Sequence, residues 1–225
     1  KVSETGTSYY NVFVDGKLHK VVKVCGTDTL IHLVSGIDKR IHSLKIQKRS
    51  EGEFGKTTVH QFVLSGSGRL AEEPAVRTRH IEFIGNSLTC GYGTDGKHRD
   101  EPFLVETENC NLTFASMIAR YYDADYTLIA HSGRGAARNY GDSVRVSKVT
   151  MKDRMLNTFD EDLTHKWNFK GYRPDLVVIN LGSNDFATVP HPYKSEFTKA
   201  YKQILAQLRE HYGDIPILCI YPVAM

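Results

Sequence analysis

The sequence predicts a small β-sandwich followed by a doubly wound α/β sheet, and three observations carry that prediction. Residues 1–76 alternate short apolar runs with turn residues and show no helix-length apolar period. Beyond Pro74, short buried-type strands alternate with helical apolar stripes. The stretch Leu176–Leu181 (LVVINL) is apolar throughout, as expected for a central parallel strand covered on both faces.

In the first part, Tyr10, Val12 and Val14 alternate with other residues, Asp15-Gly16 offers a hairpin turn, and Leu18–Val24 returns. Leu30–Val34, Ile41–Lys48 and Thr58–Leu64 continue the short strands, separated by Ser35-Gly36, Glu51–Gly55 and Ser65–Gly68. The style changes near residues 72–79 (EEPAVRTR), which places an accessory domain at 1–76 and a second domain at 77–225. Ile81–Ile84 opens the second domain as a buried-type strand. Phe114, Met117, Ile118, Tyr121 and Tyr122 then follow helical spacing, and Tyr126–Ala130 is the next strand. After Leu176–Leu181, the stripe Phe197, Tyr201, Ile204, Leu205, Leu208 and Tyr212 marks a helix stopped by Gly213. Ile215–Tyr221 is the next strand.

Composition narrows the function classes. The 225 residues, 40% of them hydrophobic, are ample for a packed core. Lys+Arg 29 against Asp+Glu 26 gives a net charge of +3, and the basic residues are scattered, which argues against nucleic acid as a partner. No apolar run approaches the roughly 18 residues that a membrane span needs. Cys25, Cys90, Cys110 and Cys219 form no CxxC pair, so neither a zinc site nor a disulfide framework is indicated. The first residues, KVSETGTSYY, carry no signal-peptide pattern, which leaves a cytosolic, an already processed or a fragmentary chain as the expectations.

In open α/β sheets ligands bind at the carboxyl ends of the strands. Gly85-Asn86-Ser87 follows the first strand, His131-Ser132-Gly133-Arg134-Gly135 the second, and Gly182-Ser183-Asn184-Asp185 the third. A hydroxyl, a glycine-rich backbone and a carboxamide at successive strand ends are the parts of an acyl-transfer site, less its base. Ser87 can attack an ester carbonyl only if a base removes its proton. The oxyanion that results needs preorganised N–H donors, for which Gly133, the Asn184 side chain and the Ser87 amide are candidates. Each feature alone has an ordinary reading as a turn or a helix cap; their recurrence at three strand ends favours the chemical one.

GNSLTCGYG, SGRG and LGSND resemble the first three motif blocks of the SGNH (GDSL-type) hydrolases. The wider run from KRSEGEFG through IEFIGNSLTCGYG, HSGRGAARNYG and PDLVVINLGSNDF is similar to carbohydrate esterase family 2, over nearly the whole chain. The resemblance implies a three-layer, flavodoxin-like SGNH hydrolase domain with a parallel sheet, preceded by a small jelly-roll-like β-sandwich. It implies a serine esterase that deacetylates plant polysaccharides such as xylan, secreted or periplasmic, without metal or cofactor. By matching position, Ser87 is the nucleophile, and Gly133 and Asn184 complete the oxyanion hole with the Ser87 amide. Tyr92, close after Ser87, is a candidate for stacking on substrate.

Two departures from the family pattern stand out. Asn86 occupies the position where the family usually has Asp, so an amide replaces a charge beside the nucleophile. The family's catalytic histidine lies in a block after the last strand, and the chain reaches Met225 before it. The expectation is therefore a segment of a longer protein, incomplete at both ends, with its base beyond residue 225. His131 is nearest in motif context, while His165, His191 and His211 read as solvated or structural.

Other patterns carry less. Gly91-Tyr92-Gly93-Thr94-Asp95-Gly96 fits GxGxxG, but it begins seven residues after Ile84 and is followed by KHRDE rather than a helix. Asn111-Leu112-Thr113 is a glycosylation sequon or the cap of the Phe114 helix. Trp167 reads as packing rather than as a platform for a sugar face, Arg134 and Arg138 as steadying a loop rather than contacting substrate, and Asp185 as capping or orienting the Asn184 turn rather than doing acid-base work. Two other functions remain open: a glycan-binding module on an SGNH scaffold without catalysis, and an esterase or thioesterase for other acyl groups. Sequence leaves the particular sugar, the acetylated hydroxyl and the oligomeric state open.

Overall fold

The predicted hairpin closes through two successive residues in the left-handed region, Asp15 at φ 51° and Gly16 at φ 76°, as a two-residue type I′ connection requires. The computed structural model describes residues 1–225 except Lys39, Ser67, Glu73, Pro74 and 222–225. The expected turn Ser65–Gly68 and the boundary stretch 72–79 therefore fall partly outside the described residues, whereas the predicted strand Ile215–Tyr221 is described and shortens to Ile217–Cys219. Packing divides the chain into two units: Lys1–Val76 with Gly93–Asn109, and Arg77–Tyr92 with the residues from Cys110 onward.

In the first unit the strands are β1 (Val2–Glu4), β2 (Thr7–Val14), β3 (Lys17–Cys25), β4 (Leu44–Lys48) and β5 (Thr57–Val59). Among the described residues they form two antiparallel sheets, β3-β2-β4 and β1-β5. The Tyr10 hydroxyl donates to Thr57 Oγ1 at 2.6 Å and links one sheet to the other. Val12 and Val24 are buried between neighbours. The predicted strand Leu30–Val34 does not form, and Ile41–Lys48 and Thr58–Leu64 shorten to β4 and β5. Leu30 is 68% and Ile41 85% exposed. An apolar run becomes a strand only where a sheet edge pairs with it, and local alternation does not reveal that edge.

Gly93–Asn109, which lies inside the 77–225 stretch, packs with this first unit. Arg49, 2% exposed on its side chain, explains how. Its Nε donates to the Glu108 carbonyl at 2.7 Å, its Nη1 to Asn11 Oδ1 at 3.3 Å, and its Nη2 to the Asp95 carboxylate. Asn11 Nδ2 in turn donates to Asn109 Oδ1 at 3.0 Å. The segment is tied by buried polar side chains rather than by an apolar stripe.

The second unit holds β6 (His80–Gly85), α1 (Ser87–Cys90), α2 (Phe114–Tyr121), β7 (Asp125–Ala130), α3 (Met151–Arg154), β8 (Leu176–Ile179), α4 (Ser183–Ala187), α5 (Lys194–Tyr212) and β9 (Ile217–Cys219). Among the described residues the sheet order is β7-β6-β8-β9 and every pairing is parallel. That is a flavodoxin-like order, with its switch point between β6 and β8.

Strand alternation sends side chains to two apolar layers. Ile84, Val177 and Ile179 pack with Met151, Ile204, Leu208 and Tyr212 on the α5 side. Ile81, Phe83 and Val178 pack with Ala115 and Ala119 of α2 on the other. Ile204 and Leu208 are at most 2% exposed, and each such burial stabilises by about 1.5–3 kcal/mol. The α5 stripe is as the sequence predicted. The α2 stripe is not: Met117 is 51%, Tyr121 84% and Tyr122 54% exposed, while Ala115, Ser116 and Ala119 are buried. Small side chains let this helix lie close on the sheet, and a count of large apolar residues points to the wrong face. Thr113 caps the helix, accepting from the Ser116 N–H.

One polar group sits in the α5-side core. Glu82, 1% exposed, accepts hydrogen bonds from Tyr172 Oη at 2.9 Å and from Tyr212 Oη at 2.9 and 3.1 Å. Burial pushes its carboxyl above the ordinary glutamate pKa, partly offset by the two hydroxyls. The folded state thus holds this proton more tightly than the unfolded chain. The stability it contributes is complete below the unfolded pKa, about 4.3, and is lost as pH rises through the raised folded value. Glu82→Gln is expected to flatten that loss. Melting temperatures of both proteins from about pH 4 to about pH 8 check it, and parallel curves would contradict the assignment.

Candidate active site

The carboxyl ends of β7, β6 and β8 lie side by side, because Gly85 pairs with Ala130 and the Asn180 N–H donates to the Ile84 carbonyl at 2.8 Å. Ser87 follows β6 as the first residue of α1. Asn86 is its N-cap, fully buried, with Oδ1 accepting from the Leu88 N–H at 3.2 Å. Asn86 Nδ2 donates to Ser183 Oγ at 2.9 Å, so the first strand end is tied to the third. Gly91, left-handed at φ 86°, stops the helix after one turn. The Tyr92 N–H still reaches the Ser87 carbonyl at 3.1 Å, and the Tyr92 side chain is 50% exposed.

After β7 the chain turns through Gly133 at φ 75°, a conformation L side chains rarely adopt. The Gly133 carbonyl accepts from the Tyr140 N–H at 2.8 Å. Gly135 is required for a different reason: a Cβ there would lie 2.0 Å from the Arg138 carbonyl oxygen and 2.5 Å from Asp185 Oδ2. Asn184, 8% exposed on α4, donates through Nδ2 to the Arg134 carbonyl at 2.8 Å. That bond fixes the carboxamide and commits one of its two N–H groups.

Asp185 lies in the first turn of α4, whose N-cap residue is Gly182. Fully buried, it accepts from the N–H groups of Ala136 at 3.0 Å, Ala137 at 2.7 Å and Arg138 at 2.9 Å. Burial pushes its carboxyl pKa up, and the three N–H donors pull it back. The sequence placed an acid beside Asn184; only the fold shows that its partners lie on the neighbouring loop. Ser183, Ala136 and Ala137 are supporting residues to which sequence reasoning gave no role.

The three predicted donors meet a common description. The N–H groups of Ser87 and Gly133 have no acceptor among the described residues, and Asn184 keeps one N–H uncommitted. Donors left unmatched at adjoining strand ends can receive a developing negative charge.

The histidines are held otherwise. His131, 2% exposed, bonds through Nδ1 to Asp160 Oδ2 at 2.5 Å, beside Arg154, which pairs with Glu161 at 2.9 Å. His165 bonds Asp162 through Nδ1, His191 packs against the Phe186 ring at 5.9 Å, and His211 stacks on Phe169 at 4.0 Å. Trp167 meets Tyr172 edge-on at 6.2 Å and stays about half exposed. No disulfide links the four cysteines, and among the described residues no helix is long and apolar enough to cross a membrane.

A parallel sheet with these blocks at three adjoining strand ends defines an SGNH-type hydrolase domain. The chain belongs to the GDSL-like Lipase/Acylhydrolase family, whose model matches residues 83–225, and residues 1–74 match the Carbohydrate esterase 2 N-terminal model. It is 35% identical over 218 residues to the cellulase/esterase CelE of Acetivibrio thermocellus, covering 97% of this chain and 26% of that protein. It is 32% identical over 182 residues to an acetylxylan esterase / glucomannan deacetylase of Cellvibrio japonicus, covering 80% of this chain and 49% of the relative. A solved family two carbohydrate esterase from Clostridium thermocellum, in complex with cellohexaose, superposes at TM-score 0.91 with 34% identity, over 98% of this chain and 66% of that one. The chain thus spans about a quarter to two thirds of the length of these relatives.

Asn86→Asp is expected to leave the fold intact, because the Ser183 hydroxyl can turn and donate to a carboxylate in place of accepting from the amide. Circular dichroism and ester turnover check it. A loss of about tenfold in turnover with an unchanged melt would show that the amide donor is required.

Proposed function

We propose that this protein is a serine esterase that removes O-acetyl groups from a plant-type polysaccharide or oligosaccharide. The observation that carries the proposal is that three N–H donors without an acceptor among the described residues, from Ser87, Gly133 and Asn184, follow three adjoining parallel strands, the first of which also leads into the Ser87 hydroxyl. Ser87 Oγ attacks the acetyl carbonyl carbon while a base takes its proton. The oxyanion of the tetrahedral intermediate accepts from the three donors. Its collapse breaks the bond to the sugar oxygen, which leaves with a proton, and the acetyl group stays on Ser87. Water then attacks the acetyl-enzyme, releases acetate and restores the hydroxyl.

The names of the two relatives, an acetylxylan esterase / glucomannan deacetylase and a cellulase/esterase, support an acetylated carbohydrate as substrate over a longer acyl ester. Half-exposed Tyr92, one turn from Ser87, suits stacking on a sugar face. The reading assigns residues 1–76 to an accessory domain and 77–225 to the hydrolase domain, in line with the two family matches. It also places the protein outside the cytoplasm, secreted or periplasmic, where polymeric glycan is found.

The intact protein is expected to release nitrophenolate from p-nitrophenyl acetate, and Ser87→Ala to abolish that release. Turnover unchanged by Ser87→Ala would remove the serine from the mechanism. No turnover by a folded wild type would favour a glycan-binding module. Asn184→Ala is expected to lower kcat by about 10²–10³. A loss below about threefold would remove Asn184 from the oxyanion hole.

A further inference from the structure

Among the described residues Arg138 is the largest fully buried side chain of the second unit, and its polar head is spent on backbone carbonyls and one threonine hydroxyl. Its Nε donates to the Val144 carbonyl at 2.9 Å, and its Nη2 to the Asp142 carbonyl, to Thr188 Oγ1 at 3.0 Å and to the Val189 carbonyl at 3.3 Å. The Gly141 N–H also donates to Thr188 Oγ1, at 3.2 Å. One nitrogen, Nη1, is buried without an acceptor among the described residues, a cost that an apolar residue filling the same space would not carry.

These bonds reciprocate those of Asp185. The Asp185 side chain, in the first turn of α4 after β8, grips the backbone of residues 136–138 in the loop after β7. The Arg138 side chain, from the loop after β7, grips Thr188 and the Val189 carbonyl just past α4. Each of the two strand-end segments therefore supplies the side chain that fixes the other. The Arg138 end of the clamp is connected to the donors: it closes the turn over residues 138–144, and the Tyr140 N–H within that turn holds the Gly133 carbonyl. Residue 133 is the one whose left-handed φ sets where its N–H points.

We propose that Arg138 is a positioning residue for the oxyanion site, locking Gly133 and Asn184 in mutual register through this two-way clamp. The proposal rests on the serine-esterase reading for its kinetic consequence, though not for the clamp itself. A donor displaced by a fraction of an ångström loses strength toward the transition state and not toward the bound ester.

The test uses Arg138→Met and Arg138→Lys in the intact protein, with folding checked by circular dichroism. With p-nitrophenyl acetate, Arg138→Met is expected to lower kcat by about 10–100-fold and leave KM within about twofold, and Arg138→Lys to recover part of the loss. A kcat within about threefold of wild type, or kcat and KM moving together, would overturn the positioning role. Amide hydrogen exchange is the second readout. Residues 132–140 are expected to exchange at least about tenfold faster in Arg138→Met while β6 and β8 keep their protection. Unchanged exchange in that loop would overturn the clamp. A wild type without turnover would sink the esterase reading alone, and the exchange result would still decide the clamp. If Arg138→Met does not fold, Arg138→Lys carries both measurements, with smaller changes in the same directions expected and none overturning the proposal.

Discussion

Three backbone N–H groups converge on the Asp185 carboxylate, and the shape of the loop after β7 follows from that convergence. A fully buried carboxylate is tolerable only where donors compensate its lost hydration. Here the donors are consecutive amides, so satisfying the charge forces residues 136–138 to wrap around it. Gly135 is the consequence, because no side chain fits between the wrapped backbone and the carboxylate. The same geometry carries the chain back through Tyr140 to the Gly133 carbonyl.

The neighbouring strand ends are joined to this centre by single, directional bonds. Asn184 reaches the Arg134 carbonyl, and Asn86 reaches the Ser183 hydroxyl. The buried Asn86 shows why an amide can stand in that position: it accepts one bond as the helix cap and donates another across the switch point. A carboxylate would keep the first role and would need Ser183 to reverse the second. The sheet supplies the rigidity. Apolar layers on both faces of β6 and β8 hold the strand ends while the polar bonds set the loops.

The legibility of the molecule divides along the range of the forces involved. The β2–β3 hairpin, the β6 and β8 strands and the α5 stripe were readable because each follows from neighbours in the chain: a left-handed Asp-Gly pair, an apolar run, a helical period. Leu30–Val34 and the α2 face misled the same reasoning. An apolar run at 30–34 found no sheet edge, and α2 approached the sheet through Ala115 and Ala119 rather than through its large residues. The excursion Gly93–Asn109 left no local mark either, since Arg49, Asn11 and Glu108 meet from positions far apart in the chain.

For the site, the residue types and their order at three strand ends were written in the sequence: GNS, SGRG and GSND, each directly after an apolar strand. Residue identity and local backbone preference suffice for that much, since a parallel sheet always presents its strand ends on one edge. Which group holds which was decided only by the tertiary structure. Asp185 serves the loop of a different strand, Arg138 answers it from the other side, and His131 is drawn to Asp160. The physical reason is that a buried charge or donor takes whatever partner the folded chain brings within about 3 Å, and that proximity is a property of packing rather than of sequence spacing.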